Sequence, residues 1–168
     1  MSLGDFGAIF EALAGANVRY LVVGGVAVVL HGHTRFTSDV DLVVELESAN
    51  VRRAMEALVA LGYRPRAPVP ALDFADAGKR RAWIDEKNLT VFSLWSPARP
   101  ATEIDVFVEE PFDFAEAHAR AIHVDLDGVP VSAASIDDLV ALKRRVARPK
   151  DLDDIAELLA IQQVRDGR

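Results

Sequence analysis

Asp39 and Asp41 stand one residue apart in the otherwise apolar run SDVDLVVEL, residues 38–46. In a strand, residues two apart point to the same face, so both carboxylates project together while Val40, Leu42 and Val44 turn to the core. Like charges at that spacing resist double ionisation. A hard divalent cation removes the cost, and Mg²⁺ binds carboxylate oxygens while keeping positions for water and phosphate groups. Such a pair suits metal-assisted nucleotide chemistry better than a structural ion site.

A third carboxylate lies in EIDVFVEE, residues 103–110, where Ile104, Val106 and Val108 point inward and Asp105 points to the other face. Glu103 shares that face and competes for the role. Adjacent antiparallel strands are expected to bring Asp105 beside Asp39 and Asp41. Upstream, Gly24 and Gly25 end a strand just before a short helix. Glycines there let backbone N–H groups approach an anion, and a helix N-terminus favours phosphate.

The elements that must position these residues are legible in the pattern. Phe6, Ile9, Phe10 and Leu13 predict an opening helix that ends near Gly15. VRYLVVGG reads as a strand, VAVVLHGH as a helix ending at Gly32, and SDVDLVVEL as the next strand. Ser48 is expected to cap a helix lined by Val51, Met55, Leu58 and Leu61 and closed by Gly62. Residues 63–77, with Pro65, Pro68 and Pro70, read as a loop or edge excursion. LTVFSLW and TEIDVFVE form an expected antiparallel hairpin, and Asp127-Gly128 marks another. Two helices follow, one capped by Ser135 and one starting after Pro149. The fold class is α/β or α+β: a mixed central sheet flanked by helices with a helical C-terminal end. We expect a single domain over residues 1–168, with a sheet-containing core in 1–133 and C-terminal helices in 134–168.

Composition narrows the function. The chain has 168 residues, 51% hydrophobic and 27% charged, with a formal net charge of −7. Its overall field repels polyanions, which argues against broad DNA binding but leaves room for a local basic site. With no cysteine, disulfides, thiolate metal sites and thiol catalysis are excluded. The longest apolar run, residues 20–30, contains two glycines and is too short to span a bilayer, so no membrane partner and a cytoplasmic location are expected.

Other polar clusters have plainer explanations. His31 and His33 have neither helical i, i+4 spacing nor that of a zinc cluster, and helix-end packing suits them better. Arg35 is available to touch phosphate, to pair with an acid or to face solvent. Lys143, Arg144 and Arg145 near a helix C-terminus complement its dipole, whatever else they do. Lys79, Arg80 and Arg81 beside Trp83 fit a surface helix as well as a nucleic-acid contact.

The succession of apolar strand, Gly24-Gly25, short helix, Ser38-Asp39-Val40-Asp41 and a later EID strand resembles the polymerase-beta-like nucleotidyltransferase superfamily. GGVAVVLHGHTRFTSDVDLVV is most similar to the AbiEii-type and toxin-like minimal members, and DDLVALKRRVARPKDLDDIAEL resembles their C-terminal lysine and RxKDxxD signature. The likeness spans residues 20–159. It implies a nucleotidyltransferase fold and transfer of a nucleoside monophosphate from a nucleoside triphosphate (NTP) to a hydroxyl. Asp39 and Asp41 would ligate two Mg²⁺ ions, or Mn²⁺ in their place. Asp105 would ligate the catalytic ion and help to activate the acceptor. Gly24 and Gly25 would lie at the triphosphate, with Lys143 approaching from the C-terminal helix and Arg148, Lys150 and Asp151 nearby. Many members carry Gly-Ser where this chain has Gly24-Gly25, so the serine's phosphate contact passes to backbone, Thr37 or Ser38. The acceptor stays open between RNA such as a tRNA end, a protein side chain and a small molecule. Toxin-like relatives further imply an antitoxin protein as partner. A non-catalytic nucleotide-binding or interaction module on the same fold is the alternative; the intact acids count against it.

Overall fold

Phe6, Ile9, Phe10 and Leu13 form one buried stripe on α1 (Gly4–Gly15), as their spacing predicts. The computed structural model describes residues 4–167; residues 1–3 and 168, the ends of the expected domain, lie outside it. From α1 the chain runs through β1 (Tyr20–Val23), α2 (Gly24–Leu30), β2 (Val40–Val44), α3 (Ser48–Ala60) and β3 (Arg64–Pro65). A 3₁₀ turn (Ala71–Ala75) leads into α4 (Ala77–Lys87), and β4 (Val91–Trp95) and β5 (Ile104–Phe107) follow. The chain ends with α5 (Phe114–Ala119), β6 (Ile122–Leu126), β7 (Val129–Ala133), α6 (Ile136–Val146) and α7 (Pro149–Arg165). All the strands join one mixed sheet of order β3-β4-β5-β2-β1-β7-β6, flanked by the helices. The expected mixed α/β class and both hairpins, β4–β5 and β6–β7, are present.

Three expectations need correction. β2 and β5 run parallel, not antiparallel, with Asp41 in register with Asp105. The reason is topological: the chain crosses over through α3, α4 and β4 between β2 and β5, and a long crossover lets β5 return parallel to β2. Ser48 does not cap α3. Glu47 does, its carboxylate accepting from the backbone N–H groups of Ala49 and Asn50, while the Ser48 hydroxyl donates to the Ala75 carbonyl. α2 begins at Gly24 itself rather than after the glycine pair.

Residues 63–77 combine the edge strand β3 with the 3₁₀ turn, and the segment reaches the core through Tyr63 and Phe74. Tyr63 donates to the Thr102 carbonyl at 2.8 Å, which anchors the edge despite three prolines. α4 holds the basic run. Lys79 pairs with Asp73 at 2.9 Å and Arg81 with Asp85 at 2.9 Å, while Arg80 is buried over the Phe74 ring. Lys79 and Arg81 fit the surface-helix reading, whereas Arg80 turns inward, and all three charges are committed locally.

In β2, Val40, Leu42 and Val44 are buried as expected, but so is Val43, on the face that carries Asp41. The acids therefore sit at the open end of a sheet face that closes immediately beyond them.

Candidate active site

Strand pairing lines up the polar residues of that open face. Val23, at the end of β1, is in register with Asp41, Asp41 with Asp105, and Asp105 with Ser93 on β4. Residues in register on neighbouring strands share a face, so Asp41, Asp105 and Ser93 form a row. The Ser93 hydroxyl donates to Asp105 Oδ1 at 2.6 Å. Asp39, just before β2, accepts at Oδ1 from the Ser38 hydroxyl at 3.4 Å and the Glu103 N–H at 3.3 Å. Glu103 turns away to accept from Arg66 Nε at 2.8 Å, which leaves Asp105 as the carboxylate facing Asp41.

Glycine at position 24 is a steric requirement. Its φ is +67°, and a Cβ there would lie 2.1 Å from Asp41 Oδ2. A Cβ on Gly25 would lie 2.7 Å from both Thr37 Oγ1 and Arg35 Nη1. The Thr37 hydroxyl thus occupies the space into which a serine at position 25 would project, while the Ser38 hydroxyl is engaged with Asp39.

Across the cleft, α6 and α7 supply cations that are themselves held by acids. Lys143 is 8% exposed; its Nζ donates to Asp154 Oδ2 at 3.0 Å and lies 3.8 Å from Asp151 Oδ1. Arg35 reaches the same Asp154 oxygen at 3.2 Å, and Arg148 Nε donates to Asp151 Oδ2 at 2.8 Å. Arg35 thus pairs with an acid while it also lines the cleft. Ser93 is a site residue that sequence reasoning passed over, and Asp154, the last acid of the RxKDxxD signature, was given no role there. The signal for Asp154 was available: Asp151 and Asp154 share a helical stripe with Ile155 and Leu158, and acids on an apolar stripe need a partner. His31 does pack at a helix end, buried, with Nε2 2.8 Å from the Ala134 carbonyl and Nδ1 2.9 Å from Arg165.

A cleft of about 390 Å³ gathers Gly24, Gly25, Arg35, Thr37, Ser38, Asp39, Asp41, Asp105, Lys143 and Lys150, while Glu103, the competing carboxylate, does not line it. A second, more apolar cleft of about 440 Å³ shares Gly24, Asp41 and Lys143 with it and extends over Val91, Phe107 and Leu142.

Electrostatics single out Asp41. Burial, then the charges of Asp105 and Asp39, push its pKa up to about 6, against the pull of Lys143 and Lys150. Burial also raises Asp105, although the Ser93 hydrogen bond opposes it. For Asp151, burial is outweighed by hydrogen bonds from Arg148, which hold it below the usual range. Among the described residues no three or more His, Asp or Glu side chains form a ready-made metal set. The donors nonetheless suit Mg²⁺, which is commonly held by one or two carboxylates plus substrate phosphates rather than by an all-protein cage. Burial and the neighbouring acids both disfavour a charged Asp41, and such a cation would relieve that cost.

Solved structures share the fold at low sequence identity. A lincosamide antibiotic adenylyltransferase, LnuA, solved with lincomycin bound, is 14% identical with a TM-score of 0.64, covering 96% of this chain and 98% of that one. The antibiotic-resistance factor ANT(2'')-Ia, solved in solution, is 16% identical with a TM-score of 0.59, over 96% and 88% of the two chains. An antigenic nucleotidyltransferase-like protein from Paracoccidioides brasiliensis is 18% identical with a TM-score of 0.54, over 90% and 71%. No curated protein matches the sequence significantly. Residues 8–165 match the family described as nucleotidyltransferase of unknown function (DUF6036). With nearly its whole length so matched and the nucleotidyltransferase fold around its acids, the chain belongs to the DUF6036 family of nucleotidyltransferases.

Proposed function

We propose that the protein transfers a nucleoside monophosphate from an NTP to an acceptor hydroxyl, with Mg²⁺ or Mn²⁺ held by Asp39, Asp41 and Asp105. One observation carries the reading: a row of acids across β2 and β5 abuts a glycine that cannot bear a side chain and faces a cluster of held cations. Two divalent ions at these acids would lower the pKa of the acceptor hydroxyl and stabilise charge on the transferring phosphate.

The chain's own residues do the rest. Gly24 leaves room for the triphosphate beside Asp41, and the Thr37 hydroxyl and the Gly25 backbone offer it hydrogen bonds. Lys143, Arg35, Arg148 and Lys150 neutralise it, with Asp151 and Asp154 holding three of those cations in place. Ser93 fixes Asp105 through Oδ1, so the other oxygen is the one to face metal and acceptor. ATP is the first nucleotide to try, since LnuA is an adenylyltransferase. Dependence on an NTP is also the argument for a cytoplasmic location.

The test is incubation with labelled NTPs, Mg²⁺ and separate cellular fractions of RNA, protein and small molecules; the fraction that gains label names the acceptor. Asp41→Ala should abolish labelling with an unchanged circular dichroism spectrum, and retained labelling would remove Asp41 from the site. A wild-type protein that neither labels anything nor binds nucleotide with Mg²⁺ is the non-catalytic module instead. A toxin role with an antitoxin partner would appear as growth arrest on expression, relieved by the same substitution.

A further inference from the structure

The row of site residues does not stop at Ser93. Trp95 lies two residues farther along β4, on the same face, and is in register with Arg64 of the edge strand β3. The Arg64 and Arg66 guanidinium carbons stand 5.4 and 5.0 Å from the Trp95 ring centroid. Both arginines are exposed and the indole is half-buried. Arg66 also pairs with Glu103, so the cluster adjoins the acid row directly. Trp95 and Arg64 have no part in the chemistry described above, and Arg66 enters it only by holding Glu103.

Position gives the cluster a meaning. In phosphoryl transfer the attacking and leaving oxygens lie roughly in line. Gly24 follows β1, which flanks β2 on the side opposite β5, and abuts Asp41, so a triphosphate held at Gly24 would release pyrophosphate on that side. The attacking hydroxyl must then arrive from the opposite side, over β5, β4 and β3, the order in which these strands follow β2 in the sheet. Trp95 is a diagonal neighbour of Asp105, about 7–8 Å away. A single nucleotide bridges that distance.

Resting on the nucleotidyl-transfer reading, the geometry points to Trp95, Arg64 and Arg66 as the acceptor platform, and to the 3′ end of a single-stranded RNA as the acceptor. The guanidiniums layered on the indole offer planes on which a base can stack and charge for the neighbouring phosphates. A polycationic acceptor would meet two exposed arginines instead. The net charge of −7 is a sum over the whole chain and does not set the local field, to which Arg64 and Arg66 contribute positive charge at the edge strand.

The test uses a short fluorescein-labelled single-stranded RNA with a free 3′ hydroxyl, read by anisotropy, alongside ATP·Mg²⁺ binding by calorimetry. Trp95→Ala and Arg64→Glu should each weaken RNA binding roughly tenfold. Arg64→Glu should also reduce the salt slope by about one, and both should leave ATP·Mg²⁺ binding unchanged. Arg64 is exposed, so its variant stays informative if Trp95→Ala fails to fold. Variants that bind RNA as the wild type does overturn the platform, as does a wild type that binds ATP·Mg²⁺ but no RNA. Trp95-dependent RNA binding without any nucleotide binding would support the platform and sink the transfer reading instead.

Discussion

Asp41→Asn should cost the protein its activity and make it more stable. Burial and two neighbouring acids raise the folded pKa of Asp41 from 3.8 to about 6. A carboxyl whose folded pKa exceeds its unfolded one destabilises the fold increasingly as pH rises through that window and at a constant level above it. The gap corresponds to about 3 kcal/mol at neutral pH. Asparagine keeps the shape and removes the charge, but it still buries a polar group and takes a partner from Lys143 and Lys150. We expect a net gain of about 1–3 kcal/mol at pH 7.5, or roughly 2–4 °C in Tm for each kcal/mol in a chain of this size. Thermal and urea unfolding at pH 4.0, 5.5 and 7.5 would show the advantage of the variant shrinking towards pH 4. Added Mg²⁺ should raise the wild-type Tm and leave that of the variant unmoved. A variant less stable than wild type at pH 7.5, or an advantage independent of pH, would refute the electrostatic account of the site.

Gly24→Ala forces a side chain into left-handed backbone and against Asp41, so we expect a loss of about 1–3 kcal/mol in urea unfolding and loss of nucleotide binding by calorimetry. Asp154→Ala strips Lys143 of its nearest partner in a buried setting; a loss of about 3 kcal/mol is expected, recovered in large part by adding Lys143→Met, which a double-mutant cycle measures. Ser93→Ala removes the hydrogen bond that lowers the Asp105 pKa, so the acid limb of the pH–rate profile should move to higher pH, while unchanged limbs would detach Ser93 from Asp105.

The apolar alternation around Asp39, Asp41 and Asp105 declared the acids' shared face, because side-chain direction in a strand depends on local backbone alone. The α1 and α3 stripes, the Asp127-Gly128 hairpin and the Ser135 cap were legible for the same reason: each rests on residues within one or two turns of chain. The Glu47 cap was missed because two adjacent residues could each have served, and the Ser48 hydroxyl went to the distant Ala75 carbonyl. Only tertiary structure could decide the rest. The parallel pairing of β2 with β5 depends on how the chain crosses over between them, a matter of topology that no local pattern encodes. The grip of Asp154 on Lys143 and Arg35 joins α7 to α6 and to a loop 119 residues earlier, and the Trp95–Arg64 stack needs an edge strand of two residues. Sequence determined which residues are candidates for the chemistry, since residue type and local direction are written in the chain; the fold decided which neighbours hold them, since those neighbours meet only when distant segments pack.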